Sequence, residues 1–335
     1  MLDSAQLTGI AFFASIAFVT TLISTPIIAK MMRRRGITGK DVHKISKIEI
    51  PEMCGLAILL GLTLGSLAYV VAVPSSGNAI TAFLATVLIA GAIGFFDDLR
   101  PLSARVKPLL TAFAALPIIF LHAYSPYPTI PLLGTVRLTI VYPFLILIAI
   151  AVTSNSVNMM DVMNGSMPGT VSITSATITV VLLISGEMQI AAISAGVLAA
   201  SLAFFYYNRF PAKVFSGDTG SLAVGAALGA IAILGKVETV MVVALIPQIM
   251  NAFYGLSSVG RLYERREIQQ RPTRLLSDGT LEASDEKHAP VTLARLILAA
   301  GPATEGGVVR SMMILTAVSS TLAFLTYWIG VGIKP

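Results

Sequence analysis

The sequence predicts an all-α integral membrane protein, and three observations carry that prediction. Of the 335 residues, 55% are hydrophobic and only 12% are charged, whereas soluble domains carry about twice that charge. The mean hydropathy is +0.83. Apolar stretches of about 20 residues, the length that crosses a bilayer as a helix, recur along the whole chain. The single cysteine, Cys54, excludes an intramolecular disulfide.

About ten membrane-spanning helices are predicted within one domain, residues 1–335. They lie near residues 7–30, 54–73, 79–96, 106–123, 138–158, 169–186, 188–207, 219–235, 238–257 and 308–330. The first apolar run lacks the features of a cleaved secretory signal, so we expect it to be a retained helix. The second and eighth are rich in glycine, which lets helix backbones approach closely. The proline-containing segment Tyr124–Arg137 is expected to form a small surface hairpin.

The distribution of basic residues predicts the orientation. Three of the 23 Lys and Arg residues (Arg137, Lys236 and Lys334) fall in one set of alternating loops. The other 20 lie in or beside the opposite set, 31–53, 97–107, 208–218 and 258–307. By the positive-inside rule the second set is cytoplasmic. These loops, with 159–168, are therefore expected to form a cytoplasmic active-site side, and both termini are expected outside.

Three polar stretches stand at the cytoplasmic ends of predicted helices: 94–100, 153–165 and 210–221. The second places a polar residue at every third position, so Asn155, Asn158 and Asp161 are expected to share one broad helix face. Carboxylate and amide oxygens suit a hard cation such as Mg²⁺ that holds phosphates. The pattern therefore indicates phosphate chemistry at a membrane surface.

Each carboxylate also has a structural interpretation. Asp97 and Asp98 could be an ordinary charged helix end, and Asp218 could cap the helix that follows it. However, adjacent carboxylates at a helix C-terminus oppose the helix dipole, so they need a cation or a function. A helix N-terminus beside Asp218 would in turn favour a nearby phosphate.

The last cytoplasmic segment is rich in arginine and includes Arg271 and Arg274. Such a run usually faces solvent or lipid headgroups, but the planar guanidinium also suits the oxygens of a pyrophosphate. His288, in the same segment, is expected to be a surface residue. The loop 39–52 could be only a linker.

These motifs resemble those of the polyprenyl-phosphate N-acetylhexosamine-1-phosphate transferases. The resemblance rests on residues 94–98, 155–158, 164–165 and 210–219, in order, spacing and membrane side. Residues 40–44, 50–52 and 271–275 are similar to the archaeal and eukaryotic dolichyl-phosphate branch. The chain departs from that branch at Asp161, which matches the bacterial enzymes, and at Gln269 and Gln270, where the eukaryotic enzyme is basic.

The resemblance implies transfer of GlcNAc-1-phosphate from UDP-GlcNAc to dolichyl phosphate, with release of UMP. It implies Mg²⁺, with Mn²⁺ as a substitute, held by Asn158 and Asp218. The other implied roles are as follows: Lys107 at the lipid phosphate; Arg271 and Arg274 at the donor pyrophosphate; Asp97 and Asp98 positioning this network, with a base role for either left open; and Val42, Glu52 and Asn164 at the nucleoside. Lys213, a few residues before Asp218, could bind a phosphate.

Three alternatives remain at this point. The same reaction could use another UDP-N-acetylhexosamine or undecaprenyl phosphate. A secondary transporter also carries intramembrane polar residues, but here they cluster at one membrane face and no inverted repeat is visible. The complete carboxylate set argues against a lipid-binding scaffold. We expect a lipid bilayer and no nucleic acid as partners, and leave both a monomer and a homodimer open.

Overall fold

The computed structural model describes residues 4–46, 48–73, 77–131, 133–260, 262 and 270–332. The helices are α1 (Ser4–Arg34), α2 (Leu56–Ala72), α3 (Gly77–Leu99), α4 (Val106–Phe113), α5 (Leu116–Phe120), α6 (Tyr142–Met160), α7 (Ser166–Ser185), α8 (Met188–Asn208), α9 (Gly217–Leu234), α10 (Glu238–Ala244), α11 (Ile246–Val259), α12 (Leu293–Leu298) and α13 (Glu305–Gly332). The strands are β1 (Thr38–Lys40), β2 (Glu49–Pro51), β3 (Thr129–Ile130), β4 (Gly134–Thr135), β5 (Thr273–Leu275) and β6 (Leu281–Ala283). The prediction of an all-α membrane protein is confirmed.

Each predicted span has a helical counterpart in the described chain. Seven helices are long and apolar enough to cross a membrane, and the pair α10–α11, bent by 66°, is an eighth candidate. The shorter apolar segments Leu56–Ala72 and Val106–Phe120 occupy the places of the second and fourth predicted spans. The protein is therefore a multi-pass membrane protein, while the count of ten stays a prediction.

Helix α9 is the centre of the bundle. In its apolar window 89% of the residues are buried, against 17% for α1. Glycines let neighbouring backbones touch it: a Cβ added at Gly225 would lie 2.6 Å from the carbonyl oxygen of Thr153 in α6. A Cβ added at Gly94 of α3 would lie 2.5 Å from the carbonyl carbon of Asp218. The predicted close approach at the glycine-rich helices is thus confirmed, and it draws the ends of α3, α6 and α9 together.

Two prolines interrupt helical hydrogen bonding within the bundle, and side chains compensate for both. Pro247 has no N–H for the carbonyl of Val243, four residues earlier; the hydroxyl of Ser319 donates to that oxygen at 2.6 Å. Pro26 likewise leaves the carbonyl of Leu22 without its usual donor, and Tyr207 Oη donates to it at 3.2 Å. In a bilayer such carbonyls must find partners inside the protein.

The segments between the helices form three antiparallel hairpins: β1–β2, β3–β4 and β5–β6. The pair β3–β4 confirms the hairpin predicted in 124–137, whereas the other two were not predicted. Residues of β1–β2 join the chain before α9, since the N–H of Phe215 donates to the carbonyl of Pro51 at 2.8 Å. A second small core, separate from the main one, packs α12, β6 and α13 against the end of α6. The hairpins β1–β2 and β5–β6 therefore lie at the end of the bundle where α3 and α6 end and α9 begins.

Candidate active site

Lys107 joins the two carboxylates that the sequence places on separate helices. Its Nζ lies 2.6 Å from Asp97 Oδ2 and 2.7 Å from Asp218 Oδ2. The lysine is 8% exposed and Asp97 is 4% exposed, so the ion pair is largely shielded from water. The structure thus brings together three of the four residues expected to be catalytic.

The fourth, Asp98, anchors the start of α9. Its Oδ1 accepts the backbone N–H of Asp218 at 2.8 Å, and its Oδ2 accepts the N–H of Thr219 at 3.0 Å. The Thr219 hydroxyl also donates to Oδ2, at 2.6 Å. The first N–H groups of a helix have no intrahelical acceptor, so Asp98 acts as a cap supplied by another helix. This geometry fits the predicted positioning role.

The predicted polar face of α6 is directed at three different neighbours. Asn158 is hydrogen-bonded to the Asp218 carboxylate. Asp161, which ends the helix, accepts a hydrogen bond from the hydroxyl of Ser216. Asn155 donates to Thr111 Oγ1 of α4 at 2.8 Å. The face therefore fastens α6 to α4 and to the start of α9.

The donor set fits a divalent metal ion such as Mg²⁺. Asn158 and Asp218 are in direct contact and both carry oxygen donors, the type that Mg²⁺ prefers. In the described chain, Lys107 is ion-paired with the carboxylates of Asp97 and Asp218, whereas Asp98 accepts hydrogen bonds from the start of α9. Three carboxylates against one ammonium leave two negative charges when all are ionised, which a divalent cation would balance.

A second polar cluster surrounds Asn164. Glu305 Oε1 accepts the Asn164 N–H at 2.8 Å, and Asp41 Oδ2 accepts from Asn164 Nδ2 at 3.0 Å. Lys44 Nζ lies 2.5 Å from the same Asp41 oxygen. Burial raises the pKa of Asp41, but the bonds from Lys44 and Asn164 outweigh it and hold that pKa below its usual value.

This cluster orients Asn164. Asp41, His43 and Glu305 place one ligand atom each within 4.8 Å of one another, so they could hold a metal ion. Both carboxylates are, however, already occupied as acceptors by Asn164 and Lys44. Since ionised carboxylates only accept, the Asn164 amide must turn its NH₂ group towards them. Its oxygen then faces away and has no donor among the described residues.

A cleft of about 460 Å³ opens beside this cluster. The lining includes His43, Lys44, Phe210, Thr304 and Glu305, and the Lys44 ammonium lies 5.2 Å from the centre of the Phe210 ring. Its size is within the usual range of small-molecule sites.

The other expected nucleoside residues lie in the same region. Val42 is half-buried and next to Asp41. Glu52 is also half-buried, and its side chain lies directly over Gly39 of β1.

The predicted phosphate-binding cations are exposed. Arg274 of β5 is ion-paired with Glu282 on the adjacent strand, and Arg271 precedes β5. Lys213 is exposed on the segment before α9. None of the three has an ion pair with Asp97, Asp98 or Asp218 in the described chain. His288 is exposed, as expected. Gln269 and the basic residues Arg261, Arg265, Arg266 and Lys334 lie outside the described residues.

Sequence reasoning missed several members of the site. Asp41 and Lys44 stood in the recognised segment 40–44 without an assigned role, and Glu305 was not singled out. An acidic residue at the start of an apolar span was the available signal for Glu305. For Asn208, which accepts the N–H of Gly165 at 3.0 Å, the corresponding signal was a polar residue at the end of the apolar span α8.

The chain is similar to known membrane transferases. The sequence profile described as Glycosyl transferase family 4 matches residues 80–236. A Sulfolobus acidocaldarius protein with the provisional name UDP-N-acetylglucosamine–dolichyl-phosphate N-acetylglucosaminephosphotransferase is 31% identical over 253 residues, 73% of this chain and 77% of that protein.

Two bacterial proteins show the same degree of similarity. One from Bacillus subtilis, provisionally named undecaprenyl-phosphate N-acetylglucosaminyl 1-phosphate transferase, is 32% identical over 86% of this chain and 78% of its own length. The phospho-N-acetylmuramoyl-pentapeptide-transferase of Desulforamulus reducens is 33% identical over 69% of this chain and 75% of its own length. With these identities and coverages, the chain belongs to glycosyl transferase family 4.

Proposed function

We propose that the protein transfers GlcNAc-1-phosphate from UDP-GlcNAc to dolichyl phosphate and releases UMP. The observation that carries the proposal is the joining of Asp97, Lys107, Asn158 and Asp218 at one end of three apolar helices. The name of the Sulfolobus relative supports this choice of donor and acceptor. In the reaction an oxygen of the lipid phosphate attacks the β-phosphorus of UDP-GlcNAc. The bond from that phosphorus to the bridging oxygen breaks, and UMP leaves with the electron pair.

The site meets the main demand of this reaction, which is to bring two anions together. A phosphate monoester is already anionic near neutral pH, so its attack does not require a strong base. Lys107 would attract the lipid phosphate, and its ion pairs with Asp97 and Asp218 hold the ammonium in place. Such preorganised charge is commonly the largest contribution to catalysis. Asp98 would keep Asp218 in position through the start of α9.

Asn158 and Asp218 would hold Mg²⁺, with Mn²⁺ as a substitute. When bound, the ion would neutralise the charge that develops on the transferring phosphate. Arg271, Arg274 and Lys213 would reach the donor phosphates only if the β5–β6 hairpin and the segment before α9 face the bound nucleotide. Asn164, with Val42 and Glu52, would contact the nucleoside, and the outward oxygen of Asn164 could accept an N–H from the base.

The decisive assay is UMP release by purified protein. We expect UMP only when UDP-GlcNAc, dolichyl phosphate and Mg²⁺ are all present, with loss in EDTA and partial recovery in Mn²⁺. Parallel reactions with UDP-GalNAc and with undecaprenyl phosphate test the two substrate alternatives. Asp218→Asn should be inactive, whereas Glu187→Gln should be active, because Glu187 pairs with Lys236 far from the site. Absence of UMP with every donor and lipid would refute the proposal.

We also propose that this site faces the cytoplasm. The supporting observation is the division of basic residues, 20 against three, between the two sets of loops. In a Cys54→Ser background, cysteines replacing Asn78 or Ser185 should react with an impermeant thiol reagent added to intact cells. Cysteines replacing Ser103 or Ser277 should be protected. The reverse labelling pattern would contradict the proposed orientation.

A further inference from the structure

Asn251 connects the end of α6 with the segment that bears the β5–β6 hairpin through two hydrogen bonds of one buried side chain. It lies in α11 and is 3% exposed. Its Nδ2 donates to the carbonyl of Met159 in α6 at 2.9 Å, and its Oδ1 accepts the N–H of Leu293 in α12 at 2.8 Å. A carbonyl can only accept and an N–H can only donate, so these partners fix the orientation of the amide.

The first of these bonds holds the end of α6. Met159 directly follows Asn158 and lies in the last turn, where carbonyls have no intrahelical donor. Asn251 supplies that donor from a neighbouring helix. Movement of this turn would carry Asn158 with it and change its distance to Asp218.

The second bond docks the segment that bears the β5–β6 hairpin. Leu293 is the first residue of α12, and Ser258 of α11 accepts the nearby N–H of Val291 at 2.9 Å. In α12, the Arg295 guanidinium donates to the carbonyls of Ala289 at 2.5 Å and Ser284 at 2.8 Å. Ser284 directly follows β6, so this network reaches the hairpin that carries Arg274.

We infer that Asn251 is a positioning residue that fixes the arginine-bearing hairpin relative to the end of α6. The inference rests on the proposed function for what the two ends do: Asn158 holds the metal ion, and Arg271 with Arg274 meets the donor phosphates. One buried amide then fixes, by directional hydrogen bonds added to the apolar packing of the second small core, the separation between the metal ligand and these arginines. Its loss should affect Mg²⁺ dependence as well as turnover.

Two variants distinguish the link from α12 to α6 through Asn251 from the simple attachment of the α12 segment to α11. Asn251→Asp keeps an acceptor for Leu293 but loses the donor to Met159, because a carboxylate cannot donate. Ser258→Ala is the matched control, since it removes a bond to the same docked segment without touching α6. Asn251→Leu, similar in shape and without charge, replaces the aspartate if that variant does not fold. Folding is checked by thermal unfolding and size-exclusion chromatography.

The first readout is kinetic. We expect Asn251→Asp to raise the Mg²⁺ concentration for half-maximal activity at least fivefold and to lower kcat at least tenfold. Ser258→Ala should change that Mg²⁺ concentration less than twofold. Equal Mg²⁺ dependence in wild type, Asn251→Asp and Asn251→Leu would overturn the inference, because a residue with a purely structural role would lower the active fraction without changing metal affinity.

The second readout does not depend on catalysis. Spin labels on cysteines replacing Ser103 and Ser277 report, in the Cys54→Ser protein, the separation of the hairpin from the loop after α3, which lies at the same end of the bundle as the end of α6. The distance distribution should be narrow in wild type and in Ser258→Ala, and broad in Asn251→Asp. An unchanged distribution in the folded variant would overturn the inference even if transfer is established. Broadening in a protein that releases no UMP would leave the coupling intact and refute only the proposed function.

Discussion

The Lys107 ammonium lies 2.7 Å from the Asp218 carboxylate that is also the expected metal ligand. The two cations, lysine and Mg²⁺, would therefore share one carboxylate group. Because Mg²⁺ is divalent, their mutual repulsion about 4 Å apart is of the order of 2 to 8 kcal/mol, depending on the effective dielectric constant. Lys107 should thus weaken metal binding while it helps to gather the anionic substrates.

The first prediction follows from these two opposite effects of Lys107, on metal binding and on substrate binding. Lys107→Gln should lower transfer at least a hundredfold, because the lipid phosphate loses its cation. In the same protein the Mg²⁺ concentration for half-maximal binding should fall about tenfold, because the competing charge is gone. Direct Mg²⁺ or Mn²⁺ titration of the purified protein measures this without catalysis. Weaker metal binding in Lys107→Gln would mean that the lysine supports the metal site and does not compete with it.

The second prediction concerns Asp98. Asp98→Ala leaves three donors at the start of α9 without an acceptor, and each buried unsatisfied donor costs about 1–3 kcal/mol. We expect a clear drop in the thermal unfolding temperature together with lost activity. Asp98→Asn, which keeps one acceptor oxygen, should be intermediate in both. If both variants were equally inactive at unchanged unfolding temperature, Asp98 would act as a base and not as a cap.

Much of the fold was predictable because membrane spans have a local signal. Every predicted span corresponds to helix, and the clustered polar residues at helix ends identified Asp97, Asn158 and Asp218. The break before α11 was also open to prediction from Pro247, although its 66° bend was not predicted. These features depend on residues near one another in sequence.

The missed features depend on pairs that are distant in sequence. Asp41 and Asn164 meet across 123 positions, and Asn164 and Glu305 across 141. No local periodicity identifies such pairs. The ion pair between Arg274 and Glu282 was missed for another reason. The β5–β6 hairpin is short and polar, so its sequence carries only a weak strand pattern.

The third prediction tests the arginines. Arg271→Lys keeps the charge but loses the planar fork, so bidentate phosphate contacts fail. We expect kcat/KM for UDP-GlcNAc to fall at least tenfold, about 1.4 kcal/mol of transition-state stabilisation. Arg274→Lys is the comparison, because its partner Glu282 can pair with either cation. Near wild-type kinetics in Arg271→Lys would assign Arg271 to the solvent-facing basic strip.

The fourth prediction concerns acid stability. The folded-state pKa of Asp41 is lowered, so its ionised form stabilises the protein above the unfolded pKa of about 3.9. That contribution is lost as the pH falls through the lower folded-state pKa. At pH 7, Asp41→Asn should therefore unfold at a lower temperature than the wild type. Below about pH 4 the difference between the two unfolding temperatures should become smaller. Thermal unfolding of both proteins from pH 3 to pH 7 measures this; a gap that widens in acid contradicts it.

The last prediction is that Asn158 and Asp218 act through one metal ion. Asp218→Asn removes the only charge assigned to direct metal contact, and Asn158→Ala removes a neutral oxygen. Each should cost about a hundredfold or more in kcat/KM, as lost electrostatic positioning typically does. Residues that act as a unit are strongly non-additive, so the double variant should be little worse than Asp218→Asn.

Magnesium dependence distinguishes the two single variants in this cycle. Raising Mg²⁺ should partly restore Asn158→Ala, whose defect is largely in metal affinity, and should do little for Asp218→Asn. Because Asn158 and Asp218 are hydrogen-bonded to each other, part of their coupling could arise without a metal ion. The titration separates the two origins, since only coupling through the ion responds to its concentration. Losses that simply multiply, with no response to Mg²⁺ in either variant, would exclude a shared metal ion.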